Sequence, residues 1–186
     1  QTHARWRADD GEEGAPDSEW FDSSYTSRTR VRILNNDNQA FASTAIKVAV
    51  PYDAAMQSDF EDLRFTTDDG QTQVPFWVEK YTASTDAQVW VRVPTLATSS
   101  YATVYMYYGS STATSQSSGG STFNAFDDFE DNNISEYSGD TSLFNAAGSP
   151  VFGGSYALLP TSVSGKTTDG IYRFDDPVAQ GEIIRY

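Results

Sequence analysis

The chain has 186 residues, enough for one large or two small domains, and 38% of them are hydrophobic, which can furnish a real core. Its formal net charge of −14 at pH 7 argues against nucleic acid and anionic membranes as partners, because both require positive patches that neutralise phosphate. Cysteine is absent, which excludes disulfides, thiolate zinc sites and thiol nucleophiles.

The charge composition indicates a high-salt environment. Acidic residues number 26 against 12 basic ones, and the only lysines are Lys47, Lys80 and Lys166. This balance is typical of proteins from salt-loving organisms, in which molar salt shortens the Debye length to about 3 Å and removes self-repulsion. An ordinary acidic secreted protein is the alternative. No run approaches the ~20 apolar residues of a membrane span and no basic-then-apolar leader opens the chain, so we expect no direct membrane insertion, with any signal or anchor removed or lying outside this sequence. We expect the protein to be extracellular.

Residues 1–19 are acidic, punctuated by Gly and Pro, and without sustained periodicity, which predicts an extended arm. The sole histidine, His3, lies in this arm and is a poor candidate for catalysis. From Trp20 the pattern changes to strands. Val31 and Ile33 alternate with arginines, residues 35–38 form a turn, residues 46–50 alternate again, and Pro51 ends that strand. Residues 54–63 are predicted to form at most one helical turn, too short and too acidic to contribute to the fold.

The stretch from Leu63 to Gly109 predicts a β-meander of four strands with one aliphatic face. Asp68-Asp69-Gly70 supplies the positive φ of a tight turn between the first two strands. With the preceding strands this makes six or seven, enough for an antiparallel β-sandwich over residues 20–112. The inward positions are Leu63 and Phe65; Val74, Phe76 and Val78; Val89, Val91 and Val93; Val104 and Met106.

A family resemblance rests on the same stretch. The order is L-R-F-T-x-x-D-G from Leu63, V-P-F-W-V-E from Val74, V-W-V-R-V-P-x-L from Val89 and Y-x-Y-Y-G from Tyr105. Trp20, Tyr25 and the run Arg30 to Ile33 precede it. Over roughly Trp20 to Thr112 the chain resembles the domain of unknown function 2341, found in archaeal and bacterial surface proteins. The resemblance transfers no catalytic residues, and it implies a laminin-G or concanavalin-like jelly roll next in the chain.

Four aromatic residues, Trp77, Trp90, Tyr105 and Tyr107, have the opposite parity to the aliphatic face. One interpretation is a ligand-binding platform on which sugar rings stack, since the C–H faces of pyranoses pack on aromatic rings. The other is structural packing under loops or against the next domain, which is the ordinary use of aromatic residues in small sandwiches. The parity leaves both open and favours the structural interpretation.

Residues 113–122 belong to a Ser/Thr/Gly-rich run that predicts a flexible linker or a long solvated loop, and we expect the domain boundary there. Residues 123–186 resemble the start of a laminin-G or concanavalin-like jelly roll. Its first strand would begin at Phe126-Asp127-Asp128, and its second would include residues 153–158. This second domain is short for such a sandwich, and the strand at Ile183-Ile184 is cut mid-run, so we expect either that the chain continues or that this edge pairs with a partner.

The jelly-roll resemblance implies a structural calcium ion held by Asp128 and Glu130, which lie two apart and hence on one side of a strand. An acidic strand edge that discourages pairing is the alternative. Asn133-Ile134-Ser135 is a glycosylation sequon with Asn133 as the acceptor, consistent with an exterior location.

We predict an all-β fold, an antiparallel β-sandwich followed by a partial jelly roll, and no enzyme activity. A nucleophile–histidine pair is missing, and carboxylate pairs suited to glycoside hydrolysis, such as Asp68 with Asp69, Asp127 with Glu130, or Asp175 with Asp176, carry little information in so acidic a chain. We expect an attachment module that binds a glycan or a surface protein, in a halophilic, archaeal or archaeal-virus system. The alternative is a structural subunit of a filament, surface layer or virus tail that exchanges its arm or a strand with other copies of itself.

Overall fold

The computed structural model describes residues 4–6, 20–139, 141–151, 154–161 and 171–172, with the backbone alone for residues 4–6 and 171–172. The chain separates into two compact units, and within the described part the division falls between Phe123 and Asn124. This is one residue beyond the predicted linker.

In the described residues, seven strands and one short helix build the first unit. All strand pairs are antiparallel and form two sheets, ordered β1-β2-β7-β4 (the first sheet) and β3-β6-β5 (the second sheet). The elements are β1 Ala4–Trp6, β2 Ser27–Leu34, β3 Phe41–Pro51, β4 Arg64–Thr67, β5 Phe76–Thr82, β6 Asp86–Leu96, β7 Tyr101–Tyr108 and α1 Gly119–Thr122. Part of the predicted arm is therefore a strand, since β1 pairs with β2, whereas residues 7–19 lie outside the described residues.

The hydrophobic core lies between the two sheets and confirms the predicted all-β sandwich. Val89, Val91 and Val93 of β6 are at most 1% exposed, as are Val31 and Ile33 of β2. Successive side chains of a strand point to opposite faces, so one alternating face of each strand is removed from water. The other predicted inward residues are also in this core, Val78 in part: Leu63, Phe65, Val74, Phe76, Val104 and Met106.

The prediction of a single four-stranded meander is wrong. Strand β5 pairs with β6, but β4 pairs with β7 in the other sheet, so the chain changes sheets twice between Leu63 and Gly109. The turn itself forms, with Gly70 at φ +71° and a bond from Thr67 N to Thr72 O of 2.8 Å. After one bridge from Thr66 to Gln73 the chain crosses over. In a sandwich both sheets turn their apolar faces inward, so alternation identifies the buried face without identifying the sheet.

Residues 54–63 contribute more than predicted. They form turns without a described helix, yet Met56, Phe60 and Leu63 are all buried in the core. Phe60 holds a positive φ of 61°, which turns its ring inward from a loop. Met56, Phe60 and Leu63 have the i, i+4, i+7 spacing of a helical face, although the segment forms turns.

The second unit contains short strands: β8 Ser138–Gly139, β9 Phe144–Ala147, β10 Ala157–Pro160 and β11 Ile171–Tyr172, with a 3₁₀ turn at Thr141–Leu143. Strand β9 pairs with β10, and β8 pairs with β11, both antiparallel. The predicted first strand of a jelly roll is not formed. In its place Asp127 and Asp128 each accept a backbone N–H two residues on, from Phe129 and Glu130. Such Asx turns compete with strand ladders for the backbone.

Candidate functional site: two aromatic faces

Trp77 and Trp90 lie opposite each other on β5 and β6, on the outer face of the second sheet. The ring of Phe123 packs edge-on against both, with centroid distances of 5.8 Å to Trp77 and 5.5 Å to Trp90. Trp90 is 6% exposed, and its indole N–H donates to Glu79 Oε2 at 2.9 Å. Glu79 in turn forms an ion pair with Lys47 of β3 at 2.8 Å. The chain itself thus buries Trp90 and partly covers Trp77.

The covering segment is residues 109–123, the run whose composition predicts a flexible linker or solvated loop. It is held to the edge of the second sheet by two bonds, from Val78 N to Ser117 Oγ and from Ser118 N to Phe76 O, at 2.8 and 2.9 Å. Ser118 caps α1 by accepting from Ser121 N, and the chain then reaches the buried Phe123. Serine and threonine supply both flexibility and hydrogen bonds, so composition alone does not distinguish a linker from a docked segment.

Buried polar side chains hold the start of this segment. Asp62 is 0% exposed and accepts from Gly109 N at 2.6 Å and from Gln57 N at 3.1 Å. Gln57 donates through its amide to the carbonyls of Ser110 and Ala113. Arg64, 4% exposed, donates to the carbonyl of Thr114 at 2.7 Å. Buried charged groups of this kind require hydrogen-bond partners, and here they obtain them by ordering the loop.

Tyr105 and Tyr107 lie on β7, on the outer face of the first sheet, so the structure does not bring the four predicted rings together. Tyr107 is 0% exposed, donates its hydroxyl to Gly70 O at 2.9 Å, and has Trp20, Phe21 and Tyr25 edge-on around it. Its ring therefore offers no face to a ligand. Tyr105 is 8% exposed beneath a guanidinium, that of Arg28, at 4.5 Å.

An open depression lies at one end of this aromatic cluster, lined by Trp20, Phe21, Asp22, Ser23 and Tyr25. Trp20 remains 40% exposed although its ring packs 5.5 Å from that of Tyr107. The backbone N–H of Ser24 lowers the pKa of Asp22, and burial raises the pKa of Tyr25. At neutral pH the depression therefore presents an aromatic ring, a carboxylate and a phenol.

A row of arginines crosses the same outer face. Arg28, Arg30 and Arg32 alternate along β2 with the buried Val31 and Ile33. In register they stand opposite Tyr107, Tyr105 and Thr103 of β7. The Arg32 guanidinium lies 4.1 Å from the ring centroid of Tyr101, a residue that is 54% exposed. Sequence reasoning used these arginines only as strand alternation, although their spacing of two already placed them on one face.

Comparison with known proteins identifies the family of the central part of the chain. Residues 59–141 match the family described as Domain of unknown function (DUF2341). The match confirms the resemblance drawn from the strands. Its bounds differ from the expected Trp20 to Thr112, because it starts after β3 and continues to residue 141. The Ser/Thr/Gly segment is therefore within the family match.

No curated protein and no solved structure matches the chain. The jelly-roll resemblance of the residues that follow the DUF2341 match is not confirmed. Among the described residues no helix is long and apolar enough to cross a membrane.

Asp128 and Glu130, the residues that the jelly-roll resemblance assigns to a calcium ion, accept backbone hydrogen bonds. Glu130 accepts backbone N–H bonds from Ser155 and Tyr156 at 2.8–3.0 Å, which lowers its pKa, and Asp128 accepts from Glu130 N. These residues lie in turns, not on one side of a strand. No group of three or more His, Asp or Glu side chains that could hold a metal occurs among the described residues.

Asn133 is exposed, and its side-chain oxygen accepts from Ser135 N at 2.9 Å. The sequon thus forms a turn with its acceptor side chain at the surface.

Proposed function

We propose that this protein is a non-catalytic extracellular attachment module that binds a glycan on the outer face of its first sheet. The observation that supports it is the half-exposed Trp20 beside an open depression, where a sugar ring has an aromatic face and adjacent polar groups. The predicted platform residues are not part of this proposal, because Trp90, Tyr105 and Tyr107 are buried and Phe123 packs edge-on against the half-buried Trp77.

The absence of catalysis is part of the proposal, and two carboxylate pairs illustrate its basis. A glycosidase needs one carboxyl whose pKa is raised so that it can protonate the leaving group. Hydrogen bonds from Thr67 and Thr72 lower the pKa of Asp69 far below its ordinary value, and backbone bonds lower that of Glu130. Neither residue is suited to act as the acid. The third candidate pair, Asp175 with Asp176, lies outside the described residues.

The test is binding to a glycan array in about 1 M salt, where repulsion from the net charge is screened. We expect Trp20→Ala to weaken binding at least tenfold, because a stacked aromatic ring contributes on the order of 1.5 kcal/mol. Tyr81→Ala is the matched control, since Tyr81 is 52% exposed on the second sheet. Equal binding by the two variants, or no binding by the parent protein, contradicts the proposal.

A structural subunit of an external assembly is the second candidate, and strand β3 favours it. At 11 residues β3 is long for an edge strand, and β6 is its only ladder partner among the described strands. Such an edge is a template for a strand from another copy, although Ser43 at φ +53° and the exposed Lys47 oppose open-ended pairing. The other elements predicted to exchange, residues 7–19 and Ile183-Ile184, lie outside the described residues. A monomer at micromolar concentration in molar salt, measured by light scattering, excludes this candidate.

We also propose that the protein comes from a halophilic, archaeal or archaeal-virus system, because its net charge is −14. Screening by molar salt would make that charge tolerable.

A further inference from the structure

The outer face of the first sheet carries an ordered strip of cations and rings in an otherwise acidic protein. Arg28, Arg30 and Arg32 are three of only 12 basic residues, against 26 acidic ones. Being two apart on one strand, they are spaced by about 6.7 Å and span about 13 Å from first to last. Among the described side chains, the exposed rings of Trp20 and Tyr101 lie at the two ends of this strip, beside Arg28 at 5.5 Å and Arg32 at 4.1 Å.

Aromatic rings lie against the guanidinium groups of Arg28 and Arg32. The Arg28 guanidinium lies over Tyr105 at 4.5 Å and gives one N–H to the hydroxyl of Tyr107 at 3.3 Å. A guanidinium stacked on a ring keeps its plane fixed and directs its N–H edges away from that ring, in the geometry that pairs two-to-two with a carboxylate or sulfate. Pre-orientation reduces the entropy lost on binding.

Three of the described cations elsewhere have partners that use them differently, whereas Lys80 of the second sheet is exposed. Lys47 forms an ion pair with Glu79, Arg64 is buried among backbone carbonyls, and Arg92 donates to Ser43 and to carbonyls of residues 121 and 122. Arg32, by contrast, is exposed together with the ring of Tyr101. The strip thus differs from these cations in having three arginines two residues apart on one strand, of which Arg28 and Arg32 lie over aromatic rings.

We propose that this strip binds an acidic glycan, with its carboxylate or sulfate groups on the arginines and its sugar rings against Trp20 and Tyr101. This inference rests on the proposed glycan-binding function and specifies the ligand class. Charge complementarity favours an anionic ligand, and exposed rings at both ends of the arginine row favour a sugar chain over an acidic peptide, because pyranose C–H faces stack on aromatic rings.

The test compares four polymers in about 1 M salt by calorimetry: alginate, dextran sulfate, neutral dextran and polyglutamate. We expect alginate or dextran sulfate to bind more tightly than dextran and polyglutamate. Arg32→Gln should weaken that binding about tenfold, since a charge-assisted pair at an exposed site is lost. Arg32→Lys, which keeps the charge without the planar fork, should weaken it less.

Lys80→Gln is the matched control, because it removes the same charge from an exposed residue of the second sheet. Equal loss in Arg32→Gln and Lys80→Gln, with both variants folded by circular dichroism, overturns the inference, as does polyglutamate binding as tightly as alginate. If dextran binds as tightly as alginate and Trp20→Ala abolishes both, the inference fails while the proposed function stands. If no glycan binds, both fail.

Discussion

Asp69 shows how one exposed side chain organises a turn. Its Oδ1 accepts from the Thr67 hydroxyl and from the backbone N–H groups of Gln71 and Thr72, and its Oδ2 accepts from the Thr72 hydroxyl. These bonds favour the ionised form and hold the pKa of Asp69 far below its ordinary value of 3.8. Asp68 beside it is exposed as well, so the two neighbours differ in bonding and not in burial.

We predict that Asp69→Asn lowers the free energy of unfolding at pH 7, and that the difference from the parent protein shrinks as the pH falls below about 4. Because the folded-state pKa is lowered, the stabilisation is present above the unfolded-state pKa and is lost as the pH falls toward the folded-state value. Urea unfolding at several pH values measures this. Asp68→Asn should show a smaller difference at pH 7, and a pH-independent effect of Asp69→Asn would contradict the argument.

At the scale of elements, the sequence predicts which face of a strand is buried, but it does not predict which strand pairs with which. The alternation at Val89, Val91 and Val93 depends only on the period of a strand, and the structure confirms it. The pairing of β4 with β7 depends on contacts between residues about 40 positions apart, about which local alternation carries no information.

The segment 109–123 illustrates the same limit for the candidate site. Its composition predicts a flexible segment. Its conformation, however, depends on hydrogen bonds to Asp62, Gln57 and Arg64, which are far away in sequence. The rings of Trp77 and Trp90 could be recognised as one cluster from their parity, whereas their cover by Phe123 could not.

We predict that Phe123→Ala exposes both indole rings and lowers the free energy of unfolding by about 3 kcal/mol, as expected for a buried phenylalanine. The tryptophan emission should shift to longer wavelength, and quenching by iodide should increase before any unfolding. Phe123→Leu keeps an apolar cover and should retain most of the parent spectrum. If Phe123→Ala leaves emission and stability unchanged, residues 109–123 do not cover the tryptophans in solution.

At the scale of the whole molecule, charge sets the conditions for stability. A net charge of −14 on 186 residues repels itself at low ionic strength, and salt reduces that repulsion as the Debye length shortens from about 10 Å at 0.1 M to about 3 Å at 1 M. The described ion pair of Lys47 with Glu79 is partly buried and is screened less.

We predict that the melting temperature rises by about 5 °C or more between 0.1 and 2 M potassium chloride at pH 7. Near pH 4.2, the isoelectric point calculated from the sequence, the net charge is close to zero and the increase should be smaller. Calorimetry at the two pH values tests both statements. A melting temperature independent of salt at pH 7 would argue against a halophilic origin.

The position of Phe123 also decides where the chain can be divided. A fragment that stops at Thr112, the boundary suggested by composition, would lack the ring that shields two indoles and would leave bare apolar surface on the second sheet, a liability for aggregation. Expression of the first unit alone therefore calls for a cut after Phe123. The same holds during synthesis on the ribosome, because the outer side of β5 and β6 stays open to solvent until residue 123 has left the exit tunnel.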